Sequence, residues 1–239
     1  MRYFIFIFLF SYAMPVIGQE RAKIATLKKA KEDRKSAAQE NISKLKDGTL
    51  LVRLDFDKQK VNYFEKYKNF KEAEKVRAKA YKVNIEIIEA FRTNYKFSKV
   101  YYFAMDDSRK ILEGKLDEVV FYDTMGVEDL SIRVENTDYF IAEFTYIEQD
   151  TSQYYSGSTP STNNTNNPDG VAYYGGSKNN RSALVIRDKH FVQLREPFPY
   201  FAAYRHFGMV SKRYREPVRR LEEKLVKYFG QVVGGEITE

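Results

Sequence analysis

Two short apolar runs, separated by a long stretch of helical periodicity, constrain this chain more than any other feature. TLLVRLDF (Thr49 to Phe56) and VYYFAM (Val100 to Met105) are brief, flanked by polar residues and suited to buried strands. Between them Val61, Phe64 and Tyr67 recur at i, i+3 and i+6, and Val76, Ala80, Val83, Ile87 and Phe91 continue the pattern. A weak break at Asn69 divides the stretch into two antiparallel helices, because one helix of that length would be unusual. A strand followed by helices and a second strand is a crossover connection, so the two strands are expected to run parallel in one sheet.

The remaining segments extend this start. Residues 19–47 read as an N-terminal helical segment, with Asp47-Gly48 as its stop and turn. Asp106, Asp107 and Ser108 open a short helix that stops at Gly114. VVFYD (119–123), LSIRVEN (130–136) and DYFIAEFTYIE (138–148) read as strands, the last placing Phe140, Ala142, Phe144 and Tyr146 on one face. ALVIRDKHFVQL (183–194) reads as a hairpin turning at Asp188-Lys189, and EPFPYF is held extended by its prolines. The closing helix starts at Glu216-Pro217, buries Val218, Leu221, Leu225 and Phe229, and stops at Gly230, leaving 231–239 as a tail. The expected class is α/β (α+β): a single domain over 48–230, with a mixed sheet, a βαβ start, a C-terminal ββα and the N-terminal helix. That order is compatible with a thioredoxin-like sheet.

The first 18 residues fix the expected compartment. Arg2 precedes the apolar run YFIFIFLF and a small-residue exit at Gly18, the pattern of a secretory signal peptide. The run is too short to span a bilayer, so no transmembrane span is expected after its removal. The protein is therefore expected to be periplasmic or secreted. The chain holds no Cys, which excludes disulfides, thiol redox activity and thiolate catalysis, and its two His exclude a His-rich zinc site. His190 and His206 have no Ser or carboxylate placed to complete a triad. No cofactor is expected.

Three groups of residues are candidates for contact or chemistry. Residues 149–182 are almost all Ser, Thr, Asn, Gly and Tyr, a long low-complexity loop expected to be mobile at least in part. Within it YYSGS and YYGGS echo one another, so Tyr154, Tyr155, Tyr173 and Tyr174 are candidate binding residues, of the types used in adaptable recognition loops. The formal net charge of +7 concentrates near the C-terminus, with eight Lys/Arg against three Glu from Arg205 to Lys227. Arg213, Arg215, Arg219 and Arg220 form a candidate basic patch for an anionic envelope polymer, nucleic acid being excluded by export; the bland alternative is a solvated helix face. Asp55, Asp57, Asp106 and Asp107 follow the two first strands and fall at the carboxyl edge of a parallel pair, where α/β ligands bind. They are weak candidates for a divalent cation, against helix capping by Asp57 and by Asp107 or Ser108.

LVRLDFDK resembles the first motif of the haloacid-dehalogenase phosphatases, and VYYFAMDDS their last, which implies Mg²⁺ held by paired carboxylates. The order between them fails, since that family places a strand and a Lys where residues 58–98 are helical. LLVRL (50–54), VYYF (100–103), YFIAEF (139–144) and LVIRDKHFVQLREPFPYF (184–201) together resemble a set of small exported proteins of Bacteroidetes. That resemblance covers most of the chain and implies export without transferable site residues. The leading expectation is an exported, non-enzymatic binding or interaction protein of the bacterial envelope. A metal-assisted hydrolase using the four aspartates, and a structural subunit of an envelope assembly, are the alternatives.

Overall fold

The computed structural model describes residues 5–135, 138–155, 171–173, 181–204 and 213–234. They fall into two compact units, Met1–Ala37 with Gln149–Lys178, and Ala38–Glu148 with Asn179–Glu239. The larger unit is built on a seven-stranded mixed sheet. Its strands are β1 (Thr49–Leu54), β2 (Lys99–Ala104), β3 (Phe121–Tyr122), β4 (Glu128–Asp129), β5 (Tyr139–Tyr146), β8 (Ser182–Arg187) and β9 (Phe201–Ala203), in the order β4-β3-β2-β1-β5-β8-β9. β1 lies parallel to both β2 and β5, with Leu51 opposite Tyr101 and Ile141; all other pairs are antiparallel. The parallel β1–β2 pair expected from the crossover is present. The C-terminal ββα is present too, but β5 stands between it and β1.

β1 reads as a continuous apolar run because both its faces are covered. Leu50, Val52 and Leu54 enter the main core, with Ile42 and Leu45 of α1 (Ile5–Asp47), Ile88 and Phe91 of α3 (Phe70–Asn94), and Val218, Leu221 and Leu225 of α5 (Arg215–Val233). Leu51 points the other way, into a smaller cluster with Phe103, Phe121, Ile141 and Ile111 of α4 (Ser108–Leu112). Full burial of a Leu side chain stabilises by about 1.5–3 kcal/mol, so β1 is the apolar centre of the unit. α2 (Lys58–Lys66) precedes α3, and the break falls where the sequence places it: Asn69 caps α3, its Oδ1 accepting from Glu72 N. Gly48 joins α1 to β1 as expected, because a Cβ there would collide with the carbonyls of Asp138 and Lys44.

Several expected boundaries are corrected. The described part of LSIRVEN, residues 130–135, is not a strand. Asp129 Oδ1 accepts Ser131 N and Oγ, and Arg133 Nη1 bonds the carbonyls of Leu130 and Ile132, so side chains satisfy this backbone locally instead of a ladder. The expected hairpin keeps its turn at Asp188, whose Oδ1 accepts His190 N and Val192 N, but only one bridge, Arg187 to Gln193, follows. The chain then turns through Glu196-Pro197-Phe198 rather than staying extended, and the strand that follows β8 as its neighbour on the side away from β5 is β9. α5 continues through Gly230 to Val233, where Val232 still packs on the core. The tail accordingly begins three residues later than the sequence indicates.

β9 forms one edge of the sheet. Ile186 N donates to Tyr200 O and Tyr204 N to Ser182 O, so the alternate residues Phe201 and Ala203 turn their backbone groups away from β8. Lys224 of α5 bonds the Phe201 carbonyl at 2.8 Å and lies 4.7 Å over its ring.

In the smaller unit, β6 (Gln153–Tyr155) and β7 (Val171–Tyr173) form an antiparallel ribbon. No described helix is long and apolar enough to cross a membrane. α1 is one unbroken helix from Ile5, so residues 19–47 carry no interruption.

Candidate functional site

The low-complexity segment is not without order. The first tyrosine repeat gives Tyr154 and Tyr155 to one strand of the ribbon, and the second gives Tyr173 to the end of the other: Tyr155 stands opposite Val171, Tyr154 opposite Ala172 and Gln153 opposite Tyr173. Two of the four candidate tyrosines, Tyr155 and Tyr173, thus end their strands in the same short ribbon, and a third, Tyr154, is partly exposed within β6. Tyr174 lies outside the described residues, as do 156–170 and 174–180, on which the expected mobility falls. The entry to the ribbon is tied to α1. Arg34 donates to Asp150 Oδ2 at 3.0 Å and to the Ser152 hydroxyl, while Asp150 Oδ1 accepts Ser152 N at 3.0 Å. Burial opposes the charge on Asp150, but these bonds hold its carboxyl below the usual carboxylate range.

The four aspartates stand at the carboxyl ends of β1 and β2, as the parallel pair requires, yet they are occupied in other ways. Asp55 Oδ1 accepts Asp57 N at 2.8 Å. Asp106 is 3.2 Å from Lys58 Nζ, and Asp107 is 2.7 Å from Lys110 Nζ. Among the described residues no group of three or more His, Asp or Glu is arranged to hold a metal ion. The capping role is corrected as well. Asp57 occupies the N-cap of α2 in a left-handed conformation, φ 51°, without a side-chain cap bond, and Asp107 makes no cap bond to α4. Ser108 Oγ instead bonds the Met105 carbonyl. Of the two histidines, His190 is exposed in the turn after β8, and His206 lies outside the described residues.

The basic patch is largely neutralised within its own helix. Glu216 binds Arg219 at 2.7 Å and Arg220 at 2.9 Å, and Arg219 also reaches Glu223. Bonds from Arg219 and Arg220 lower the Glu216 carboxyl to about 2. Arg213 lies over the rings of Tyr204 and Tyr214, and Arg215 is exposed. Of the four arginines of the patch, Arg219 and Arg220 are therefore compensated within the helix.

A fourth constellation was not anticipated. Arg53 of β1, Glu143 of β5 and Arg187 of β8 share one face of the sheet. Glu143 receives Arg53 Nη1 at 2.6 Å through one oxygen and Arg187 Nε at 2.5 Å through the other. Arg187 continues to Glu148 at 2.6 Å and to the Phe191 carbonyl at 2.9 Å. The Phe191 ring lies 5.7 Å from the Arg53 guanidinium. The Glu143 and Arg187 side chains are only 10 and 11% exposed. Burial opposes the charge on Arg187, yet its bonds to Glu148 and Glu143 raise its pKa above the ordinary value. The signal was in the strands: LLVRL, FIAEF and ALVIR each carry one charge in an apolar run, and the signs alternate across neighbouring strands. With each charge matched, this network holds three strands in register and offers no free nucleophile.

No protein-family model, no curated protein and no solved structure matches this chain.

Proposed function

We propose that this chain is an exported, non-enzymatic binding protein of the bacterial envelope that presents its tyrosine-rich ribbon to a partner protein. The observation that supports this reading is that Tyr154, Tyr155 and Tyr173 are carried by one two-stranded ribbon. A ribbon of two short strands is marginal by itself in water, and here its entry is anchored through Arg34, Asp150 and Ser152. Tyrosines on an anchored ribbon give rigid, amphipathic contact area at low entropic cost. Export rests on the N-terminal sequence and agrees with the resemblance to small exported Bacteroidetes proteins. An anionic polymer is the weaker partner, since Arg219 and Arg220 already bind Glu216.

Deletion of residues 151–180 tests this directly. Ile147 N bonds Arg181 O at 3.0 Å, so the ends of the segment already meet and the gap can close. The shortened chain is expected to keep its circular dichroism spectrum and melting transition while losing a stoichiometric partner that the full chain recovers from envelope extracts. Equal recovery by a folded deletion variant would overturn the reading.

A further inference from the structure

The connection between α2 and α3 carries a cluster of aromatic rings that the fold leaves in solvent. Tyr63, Tyr67 and Phe70 are 57, 64 and 64% exposed. The Tyr63 ring lies 4.9 Å from that of Tyr67 and 5.6 Å from the partly buried Phe64, and Phe70 opens α3 three residues beyond Tyr67. The connection is held by its own backbone: Lys68 N bonds Glu65 O at 2.9 Å, Asn69 N bonds Phe64 O at 2.8 Å, and Lys68 takes a left-handed conformation to reverse the chain. The rings therefore stand on a firm helical turn.

The charge around them is one-sided. Lys60, Lys66, Lys68 and Lys71 are exposed and interleave with the aromatics, and none of the four forms an ion pair among the described residues. The two acids of the same stretch are held by other cations, Glu65 by Arg77 at 2.7 Å and Glu72 by Lys75 at 2.5 Å. Lys58, the fifth lysine, is held by Asp106. The outcome is four lysines outside any ion pair of the described residues, interleaved in sequence with three exposed rings in one helical connection.

We propose that this connection docks on an anionic lipid bilayer, with Tyr63, Tyr67 and Phe70 at the boundary of headgroups and acyl chains and the four lysines on lipid phosphates. Large exposed apolar clusters mark interaction surfaces. Aromatic side chains with a polar end belong at the membrane–water boundary, and lysine stems lie along apolar surface while their heads reach outward to phosphate. Basic residues beside such a cluster draw it to anionic lipid through an electrostatic term that salt screens. The site is independent of the tyrosine ribbon and uses none of its residues.

The chain contains no Trp, so Tyr67→Trp in the full chain is a local reporter. With phosphatidylcholine vesicles containing phosphatidylglycerol, its emission is expected to shift to the blue and to be quenched by brominated acyl chains. With pure phosphatidylcholine vesicles both effects should be weak. In the same background, Lys66→Gln, Lys68→Gln and Lys71→Gln together should weaken vesicle binding by about tenfold or more. Tyr63→Ser with Phe70→Ser should abolish the quenching; all these positions are exposed, and a melting curve checks that the variants fold. Because residues 1–18 are common to every variant, membrane affinity of that segment cannot mimic the difference. Unchanged emission of the Tyr67→Trp reporter on anionic vesicles, or binding indifferent to the lysine and aromatic changes, would overturn the proposal. Capture of an anionic polysaccharide by the same residues without any vesicle response would overturn it as well.

Discussion

Arg53, Glu143 and Arg187 on the sheet and Glu216, Arg219 and Arg220 on α5 are two clusters of the same chemistry in different surroundings. Their bond lengths hardly differ: 2.6 and 2.5 Å in the first, 2.7 and 2.9 Å in the second. Their solvent does. On the sheet the central carboxylate is 10% exposed, whereas Arg219 and Arg220 are half exposed to water. Water competes for every bond on α5 and screens every charge, while on the sheet an unmatched charge would have nowhere to turn. Bond length alone therefore says little about what each cluster contributes; burial decides whether losing one member is tolerated.

The comparison is sharpest at its centre. Glu143→Ala should destabilise by about 3–5 kcal/mol, because it leaves Arg53 without a carboxylate and Arg187 with only the exposed Glu148 as its acidic partner, against an apolar sheet face. A urea titration measures this, and a loss below about 1 kcal/mol would place the pair in effective contact with water. The opposite change attacks the same point. Replacing all three together, Arg53→Met, Glu143→Leu and Arg187→Met, should recover stability to within about 1 kcal/mol of the parent, since a buried network roughly balances its own desolvation. Glu148 survives that replacement because its side chain is 58% exposed.

On α5 the effects are smaller. Glu216→Gln should cost less than about 1 kcal/mol near neutral pH, despite the low carboxyl value, because the group is solvent-screened. Its pH dependence has a definite sign. A carboxyl lowered from 4.5 to about 2 contributes stability above the unfolded value, and that contribution fades as pH falls from 4.5 towards 2. The difference between parent and Glu216→Gln should vanish over that window in thermal melts. The smallest effect is that of salt: added NaCl should erase the Glu216 difference and leave that of Glu143→Ala nearly intact. Equal salt sensitivity of the two would remove the distinction drawn between them.

The sequence carried the elements that local periodicity determines and missed those that distant partners determine. The helices around Asn69, the parallel strands at Thr49 and Lys99, and the apolar stripe Val218, Leu221, Leu225 follow from spacing within a few residues. The second neighbour of β8 did not follow, because the hydrogen-bonding turn at Asp188 looks like a hairpin while the strand that pairs on that side lies beyond Pro197. LSIRVEN has the composition of a strand, but Asp129 and Arg133 satisfy its backbone from the side. Among candidate sites, the tyrosine echo was visible as repetition, and the ribbon that carries Tyr154, Tyr155 and Tyr173 was not. The charges of the Arg53 network were visible one strand at a time, but their meeting depends on β5 lying between β1 and β8, which no single strand encodes.

Lys224 on the β9 carbonyl of Phe201 has a consequence for how the protein behaves in company. A strand at the rim of a sheet is a template on which another chain can lay itself down. At this rim the outward carbonyl of Phe201 is bonded to a charged head from α5 and the ring beneath it is covered. The opposite rim, β4, offers two residues only, both acidic. One rim is shielded by Lys224 and the other is short and acidic, two of the devices by which edge strands avoid pairing with further copies.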